Sequence, residues 1–189
     1  MEIQTANQLR GRAIGSIFFA CFGTGWLFMA MIAKQAVNSA TVSWTISGMV
    51  VLLVTAAYLL RQARRWPSVP NDPAVGRAFA WVNTIQWIAV AAVAFSFAKL
   101  HIDAYAISAI AGIIGLHMFP LARLFRYPLH YATGGLLTAW AAASALLVPV
   151  EQMQGTAAFG TGLILWLSAT VALAIALQAA RQPIRSLAS

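Results

Sequence analysis

Charge is the scarcest property of this sequence. Only 8% of its 189 residues are Asp, Glu, Lys or Arg, whereas 61% are hydrophobic. A soluble domain usually carries about 25% charged residues. A chain this poor in charge cannot cover a surface that faces water, which excludes a soluble globular protein and predicts that lipid is the solvent.

Cysteine and metal-binding patterns are almost absent as well. Cys21 is the only cysteine, so no intramolecular disulfide can form, and its place in an apolar run predicts a small buried residue. The chain has no HExxH, no CxxC and no histidine-rich cluster, and no pair of carboxylates lies inside an apolar stretch. These absences argue against zinc and against carboxylate-pair catalysis. We therefore predict no metal, no cofactor and no catalytic residue.

Long apolar stretches fill most of the chain. Each has 19 or more residues, and about 20 residues at ~1.5 Å rise cross a ~30 Å hydrocarbon core. None alternates as a barrel strand does, and only helices or closed barrels satisfy the backbone in lipid. The sequence thus predicts an all-α integral membrane protein, a six-transmembrane-helix bundle forming one domain over residues 1–189. The predicted spans are 13–33, 42–60, 78–98, 104–122, 131–149 and 156–178.

The basic residues are distributed unevenly between the connections. Lys34 and Lys99 fall on one side of the predicted membrane, and all ten arginines fall on the other. By the positive-inside rule, both termini face the cytoplasm, and we expect the membrane to be a bacterial inner membrane. The net charge of +8 therefore reflects topology and contact with membrane lipids rather than nucleic acid. The ten are Arg10, Arg12, Arg61, Arg64, Arg65, Arg77, Arg123, Arg126, Arg181 and Arg185.

The first four spans are consistent with an internal repeat. A shift of 65 residues places Gly11-Arg12-Ala13 on Gly76-Arg77-Ala78, and Lys34 on Lys99. This would be a parallel repeat of a helical hairpin, with spans one and two matching spans three and four. Transporters are often built from repeats. Few other positions agree, so a chance match in a chain rich in Ala and Leu stays open.

His117 is the most informative single residue. It lies six residues before Arg123, hence about 9 Å inside the boundary at helical rise. Asn83 lies at the same depth in the preceding span, and Gln86 lies one turn further along. A hydrogen bond from His117 to either amide is therefore expected. Ionisable groups inside a membrane often mark substrate or proton paths, although a neutral histidine that only ties two helices together is an equal alternative.

Two aromatic residues complete the predicted pocket, which would open to the cytoplasm. Trp87 lies beside Gln86, and Tyr131 begins the fifth span at a similar level. His130 is expected to be an ordinary solvated residue at the interface. A bis-histidine haem is therefore not favoured, because His117 lacks a second histidine at its depth. The small stripe Ser108-Gly112-Gly115 faces away from His117 and is expected to pack tightly against another helix.

Two further patterns bear on partners. The connector after span four carries Arg123 and Arg126, which are candidates for contact with a lipid or phosphate group, although topological anchoring is the simpler role. The stripes Ser16-Ala20-Gly23 and Gly134-Thr138-Ala141-Ala145 permit close approach of another helix. They are candidate surfaces for a homo-oligomer or a partner membrane chain. The connection Arg61–Arg77 contains Pro67, Pro70 and Pro73 and is expected to be extended and non-helical.

Three functions follow from these patterns. The first is transport or binding of a small or amphipathic solute in the pocket around His117. The alternative is a non-catalytic membrane scaffold or interaction subunit, in which the polar groups only hold helices together. A membrane enzyme acting on a lipid-like substrate, with His117 as acid or base, comes last because no carboxylate or metal set accompanies the histidine.

Overall fold

A computed structural model describes residues 6–65 and 72–181 of the chain. Every regular element in these two ranges is helical, and a 3₁₀ turn at Asp103–Tyr105 leads into the fourth α-helix. Pro67, Pro70 and Arg185, on which two of the predictions rest, lie outside the described residues. The α-helices are α1 (Ala6–Ala33), α2 (Ser39–Ala63), α3 (Pro73–Lys99), α4 (Ala106–Phe125), α5 (Leu129–Leu147) and α6 (Val150–Arg181).

The predicted membrane character agrees with these helices. Among the described residues, five segments are long and apolar enough to cross a membrane, namely α1, α2, α3, α6 and the run Asp103–Phe125 that contains α4. α5 is not in that set; it has 19 residues and includes three Thr or Ser residues and two glycines. The chain is therefore a multi-pass, all-helical membrane protein.

Several helices extend beyond the predicted spans. The connection between α2 and α3 is shorter than expected, because α2 continues to Ala63 and α3 already begins at Pro73. The prediction that Arg61–Arg77 is non-helical was therefore wrong at both ends. Proline is well suited to the first helical position, where its missing N–H needs no partner. The Asp72 side chain caps this helix by accepting a hydrogen bond of 2.8 Å from the Ala74 N–H.

α1 and α6 form the centre of the bundle, and their backbones touch. A Cβ atom added at Gly23 would lie 3.1 Å from the carbonyl oxygen of Gly162, and one added at Gly162 would lie 2.9 Å from that of Gly23. The indole of Trp166 covers Gly23 and also Gly48 on α2. Its N–H donates to the carbonyl oxygen of Ala20 at 3.2 Å. Small residues on α1 and α2 thus form the socket for one large aromatic side chain.

α4 and α5 form a second closely packed pair. A Cβ atom added at Gly134 would lie 2.7 Å from the carbonyl oxygen of Gly115. About two turns before Gly115 on α4, the hydroxyl of Ser108 lies 3.3 Å from that of Ser144 on α5. The prediction that the stripe Ser108-Gly112-Gly115 packs against another helix is confirmed, and that helix is α5.

Both stripes proposed as partner surfaces are used inside the bundle. Ser16, Ala20 and Gly23 are buried on α1, and Gly134 and Ala141 are buried on α5. These stripes are therefore not available to a second chain, because neighbouring helices of the same chain already occupy them. The prediction of a buried Cys21 was also wrong, since this residue is exposed on the outside of the bundle.

α2 and α3 lie at the edges of the bundle. α2 packs on α1 and α6, whereas α3 packs on α4 and contains no buried residue. α1 and α3, which the sequence repeat would make equivalent, thus differ strongly in environment, one at the centre and one at the rim. The repeat remains a prediction about the sequence.

Adjacent glycines on α5 provide a test of the α4–α5 contact. We expect Gly134→Ala to destabilise the protein by about 1–3 kcal/mol, because the new methyl group would meet a backbone carbonyl that cannot move away. Gly135→Ala is the matched control, since nothing lies within 4 Å of a Cβ at that position. It should be neutral or stabilising by up to about 1 kcal/mol. Thermal unfolding in detergent would measure both, and equal effects would contradict the close backbone contact.

Candidate functional site at the arginine-rich end

The predicted hydrogen bond between α3 and His117 does not form. The Asn83 amide donates a hydrogen bond of 2.8 Å to the carbonyl oxygen of Phe79, one turn back on its own helix. Gln86 is half-buried, and the Trp87 side chain is 57% exposed on the outer side of α3. Neither amide bonds to His117, so the predicted hydrogen bond was wrong. The helix backbone satisfies Asn83 locally, as it often does for short polar side chains.

The other predicted site residues also face outward. Tyr131 is 44% exposed, and its ring packs against that of Phe119 with a centroid distance of 6.1 Å. Arg123 and Arg126 are both exposed at the end of α4. Their predicted contact with a lipid or phosphate group stays a prediction.

His117 itself is enclosed by protein without a hydrogen bond. Both ring nitrogens, Nδ1 and Nε2, are closed off from solvent and have no partner among the described residues. The carbonyl oxygen of Ile114, on the same helix, lies near the ring but makes no hydrogen bond of good geometry with it. The imidazole is thus a buried polar group that the protein does not satisfy.

His130 lies in the same part of the bundle as His117, contrary to the expectation from the sequence. A positive charge on His117 would act on His130. The His130 ring packs edge-on against Tyr127 at 5.1 Å and against Phe19 at 5.9 Å. Its Nδ1 atom is closed off from solvent and unpartnered. The expectation of an ordinary solvated residue was therefore wrong, because the connector folds back against α1.

Arg12 contributes a cation beside Tyr127 and His130. Its guanidinium carbon lies 5.3 Å from the centroid of the Tyr127 ring, in a cation–π contact. The Nη1 atom of Arg12 and the hydroxyl of Tyr127 are both closed off from solvent and lack a hydrogen-bond partner within residues 6–65 and 72–181. Burial raises the pKa of the Tyr127 phenol, and the charge on Arg12 opposes this to a smaller extent. The phenol therefore stays protonated near neutral pH and offers its O–H as a donor.

Together these four residues form what we call the polar cluster: Arg12, His117, Tyr127 and His130. In the described part of the chain, seven side-chain polar atoms are buried without a partner, and five of them belong to this cluster. Each such atom costs about 1–3 kcal/mol if it stays unpaired. Unpaired groups at this density call for an explanation, and the simplest is a ligand that accepts hydrogen bonds from the donors among them, since each neutral imidazole offers one donor and one acceptor.

A tight turn at the end of α4 brings the cluster together. Arg126 adopts a left-handed conformation with φ 49°. The Tyr127 N–H then donates to the carbonyl oxygen of Ala122 at 3.1 Å, which closes the last turn of the helix. Only three residues separate the end of α4 from the start of α5, so Tyr127 and His130 return toward His117 and the first turns of α1.

The chemistry of the cluster is limited by its composition. It combines one guanidinium, one neutral phenol and two imidazoles, and it includes no carboxylate. No group of three or more His, Cys, Asp or Glu residues comes together in residues 6–65 and 72–181. The arrangement can bind and orient a hydrogen-bond acceptor. It lacks the paired carboxylates that general acid–base hydrolysis would use.

A separate groove lies at the opposite end of the bundle. It has a volume of about 520 Å³ and lies between the end of α1 and the start of α6, lined by Lys34, Glu151, Gln152 and Gln154 among others. It does not reach His117, which stands near the arginine-rich end. Lys34 spans part of it by donating to the Thr156 hydroxyl at 3.4 Å.

The comparisons with known proteins give no guide to the site. No protein-family model, curated protein or solved structure matches the chain. The polar cluster therefore has to be interpreted from its own geometry.

The strained turn that places Tyr127 can be tested by glycine substitution. An L-residue in the left-handed region costs about 1–2 kcal/mol, and glycine does not bear this cost. We expect Arg126→Gly to be more stable than Arg126→Ala by about 1 kcal/mol in thermal unfolding. At Arg123, inside α4, the order should reverse, because glycine is worse than alanine in a helix by about 0.8–1.0 kcal/mol. The same order at both positions would contradict the turn.

Proposed function

We propose that the protein binds a small or amphipathic solute at the polar cluster and transports it across the membrane. The observation that supports this is the convergence of five buried, unpartnered polar atoms at one end of the bundle. A ligand with acceptor atoms would satisfy the donors among them together. We therefore place the proposed site at Arg12, Tyr127 and His130, with His117 common to it and to the pocket predicted around Asn83, Gln86 and Trp87.

The proposed topology has six spans with both termini in the cytoplasm of a bacterial inner membrane. α5 would be the fifth span, since 19 residues at ~1.5 Å rise reach about 28 Å, close to the ~30 Å of a hydrocarbon core. An even number of spans returns the chain to the side on which it began. The excess of arginine at that side assigns it to the cytoplasm, so the polar cluster would open inward.

Transport requires one part of the bundle to move relative to another. The two glycine-packed pairs, α1–α6 and α4–α5, form a firm centre, whereas α3 has no buried residue. Elements with few buried contacts open at low free-energy cost. α3 is therefore the proposed moving element, and the polar cluster lies on the fixed part.

A scaffold or interaction subunit is the second candidate, and one observation favours it. The outer side of α3 presents large side chains that are more than half exposed, and a helix of a partner chain or of a second copy would cover them as well as lipid does. These residues are Trp81, Ile85, Trp87 and Ile88. A lipid-modifying enzyme is less well supported, because no carboxylate accompanies the histidines.

Co-purification separates binding from scaffolding. Wild-type protein and His117→Ala would be purified in mild detergent, and the small molecules and lipids retained by each would be compared by mass spectrometry. We expect a species enriched with wild type and reduced about tenfold in the variant, as loss of 1.4 kcal/mol would produce. His130→Ala should behave in the same way.

Two control variants sharpen this comparison. His101→Ala removes an exposed histidine at the opposite end, and Gln86→Ala removes an amide that was predicted to bond to His117. Both should retain the ligand. Ordinary lipid profiles in every sample, together with a lower unfolding temperature for His117→Ala alone, would contradict binding and favour the scaffold.

A further inference from the structure

We propose that the ligand of the polar cluster carries an anionic phosphate group and that Arg12 is the residue that pairs with it. This inference rests on the binding function proposed above and names the chemical class of its ligand. It assigns the phosphate to an arginine on α1 rather than to Arg123 or Arg126, which are exposed.

The first argument is the missing counter-charge of Arg12. At the arginine-rich end, the one described acid is Asp72, and its side chain already caps α3. Asp103 and Glu151 lie at the opposite end, at the starts of the 3₁₀ turn and of α6. The contact of Arg12 in this cluster is the face of the Tyr127 ring. A cation in partly desolvated surroundings needs an opposite charge, and nothing in the described chain supplies it here.

The second argument is the chemistry of the other cluster members. The Tyr127 phenol is a neutral donor, and an imidazole offers an N–H donor in either tautomer. A guanidinium has donors only. The cluster is therefore rich in donors that lie close together, and phosphate oxygens accept several hydrogen bonds at once. Arginine also matches the geometry of phosphate with a bidentate fork.

The third argument is the apolar wall beside these donors. Phe19 and Phe125 flank the His130 ring at centroid distances of 5.9 and 6.4 Å. Phe79 on α3 packs against Phe125 at 5.7 Å. Donors beside a phenylalanine wall at the end of a membrane bundle suit a phosphate with an apolar portion. The same phosphate chemistry has two sources, a lipid headgroup or a soluble phosphorylated molecule.

The test is titration of the purified, detergent-solubilised protein with four probes by calorimetry. These are short-chain phosphatidic acid, short-chain phosphatidylcholine, the matching diacylglycerol and inorganic phosphate. We expect phosphatidic acid to bind at least tenfold more tightly than the diacylglycerol, which lacks the phosphate. Arg12→Gln should lower the affinity for phosphatidic acid about tenfold to a hundredfold, as loss of a charge-assisted hydrogen bond does.

Matched arginine variants separate the site from general surface charge. Arg64→Gln and Arg65→Gln remove exposed arginines at the same end and should change the affinity by less than threefold. If inorganic phosphate binds with the same dependence on Arg12, the source is a soluble phosphate, and if it does not bind while phosphatidic acid does, the source is a lipid. Equal losses in all three variants, or equal binding of phosphatidic acid, phosphatidylcholine and the diacylglycerol, would overturn the inference.

Arg12→Lys covers the case in which Arg12→Gln fails to assemble. It keeps the charge but loses the bidentate fork. The affinity for phosphatidic acid should therefore fall several-fold and still exceed that for the diacylglycerol. The outcome also distinguishes the two proposals. An uncharged molecule that co-purifies in a His117-dependent manner would overturn the proposal of a phosphate ligand and leave the binding function in place. If no species is retained and no probe binds, both proposals are overturned.

Discussion

Contact between helix backbones at paired glycines is the constraint on which the rest of this structure depends. In lipid, burial of apolar side chains gives little drive for helices to associate, so close packing has to supply it. Gly23 meets Gly162, and Gly115 meets Gly134, each with room for no side-chain carbon. These two contacts hold α1 against α6 and α4 against α5. The remaining helices are added around this four-helix centre.

The same contacts set the depth of the polar cluster. Arg12 precedes Gly23 by 11 residues on α1, and the turn at Arg126 follows Gly115 by 11 residues on α4. At ~1.5 Å per residue, both lie about 16 Å from their glycine crossing. The guanidinium of Arg12 lies over the ring of Tyr127, 5.3 Å from its centroid, so the two segments reach one level. A shift of either helix pair by one turn, about 5.4 Å, would separate them.

The sequence predicts much of the fold because the determinants of the helices are local. Apolar runs of sufficient length predicted the membrane helices, and the small residues of the stripe Ser108-Gly112-Gly115 predicted a face that packs tightly, as it does on α5. Which helix meets that face is not a local property. The stripe beginning at Ser16 has the same composition whether α6 or another chain covers it, and only the packed bundle shows that α6 does.

The candidate site was harder to predict for the same reason. His117 was identified because a histidine in an apolar span is rare, but its neighbours were sought on α3, the preceding span. The Asn83 amide instead donates a hydrogen bond to the backbone carbonyl of Phe79 on its own helix. The predicted connection 123–130 is only eight residues long, and this could have indicated that His130 lies in the same part of the bundle as His117. Nothing in the sequence places Arg12 beside them, because that depends on how α1 packs against the α4–α5 turn.

Polar groups elsewhere in the bundle show what this chain does when no ligand is needed. The Thr133 and Ser168 hydroxyls lie 2.8 Å apart between α5 and α6. The indole N–H of Trp140 donates to the carbonyl oxygen of Ala157 at 3.2 Å, and Trp166 is satisfied in a similar way by α1. The fold thus pairs these buried donors where neighbouring helices meet, and among the described residues only the hydroxyls of Thr138 and Thr161 stay unpaired outside the cluster. Against that background, five unpaired atoms in one cluster are not a general feature of the packing. They mark the one place in the described bundle where unpaired polar groups of several segments lie close together, and we propose that a ligand pairs with them.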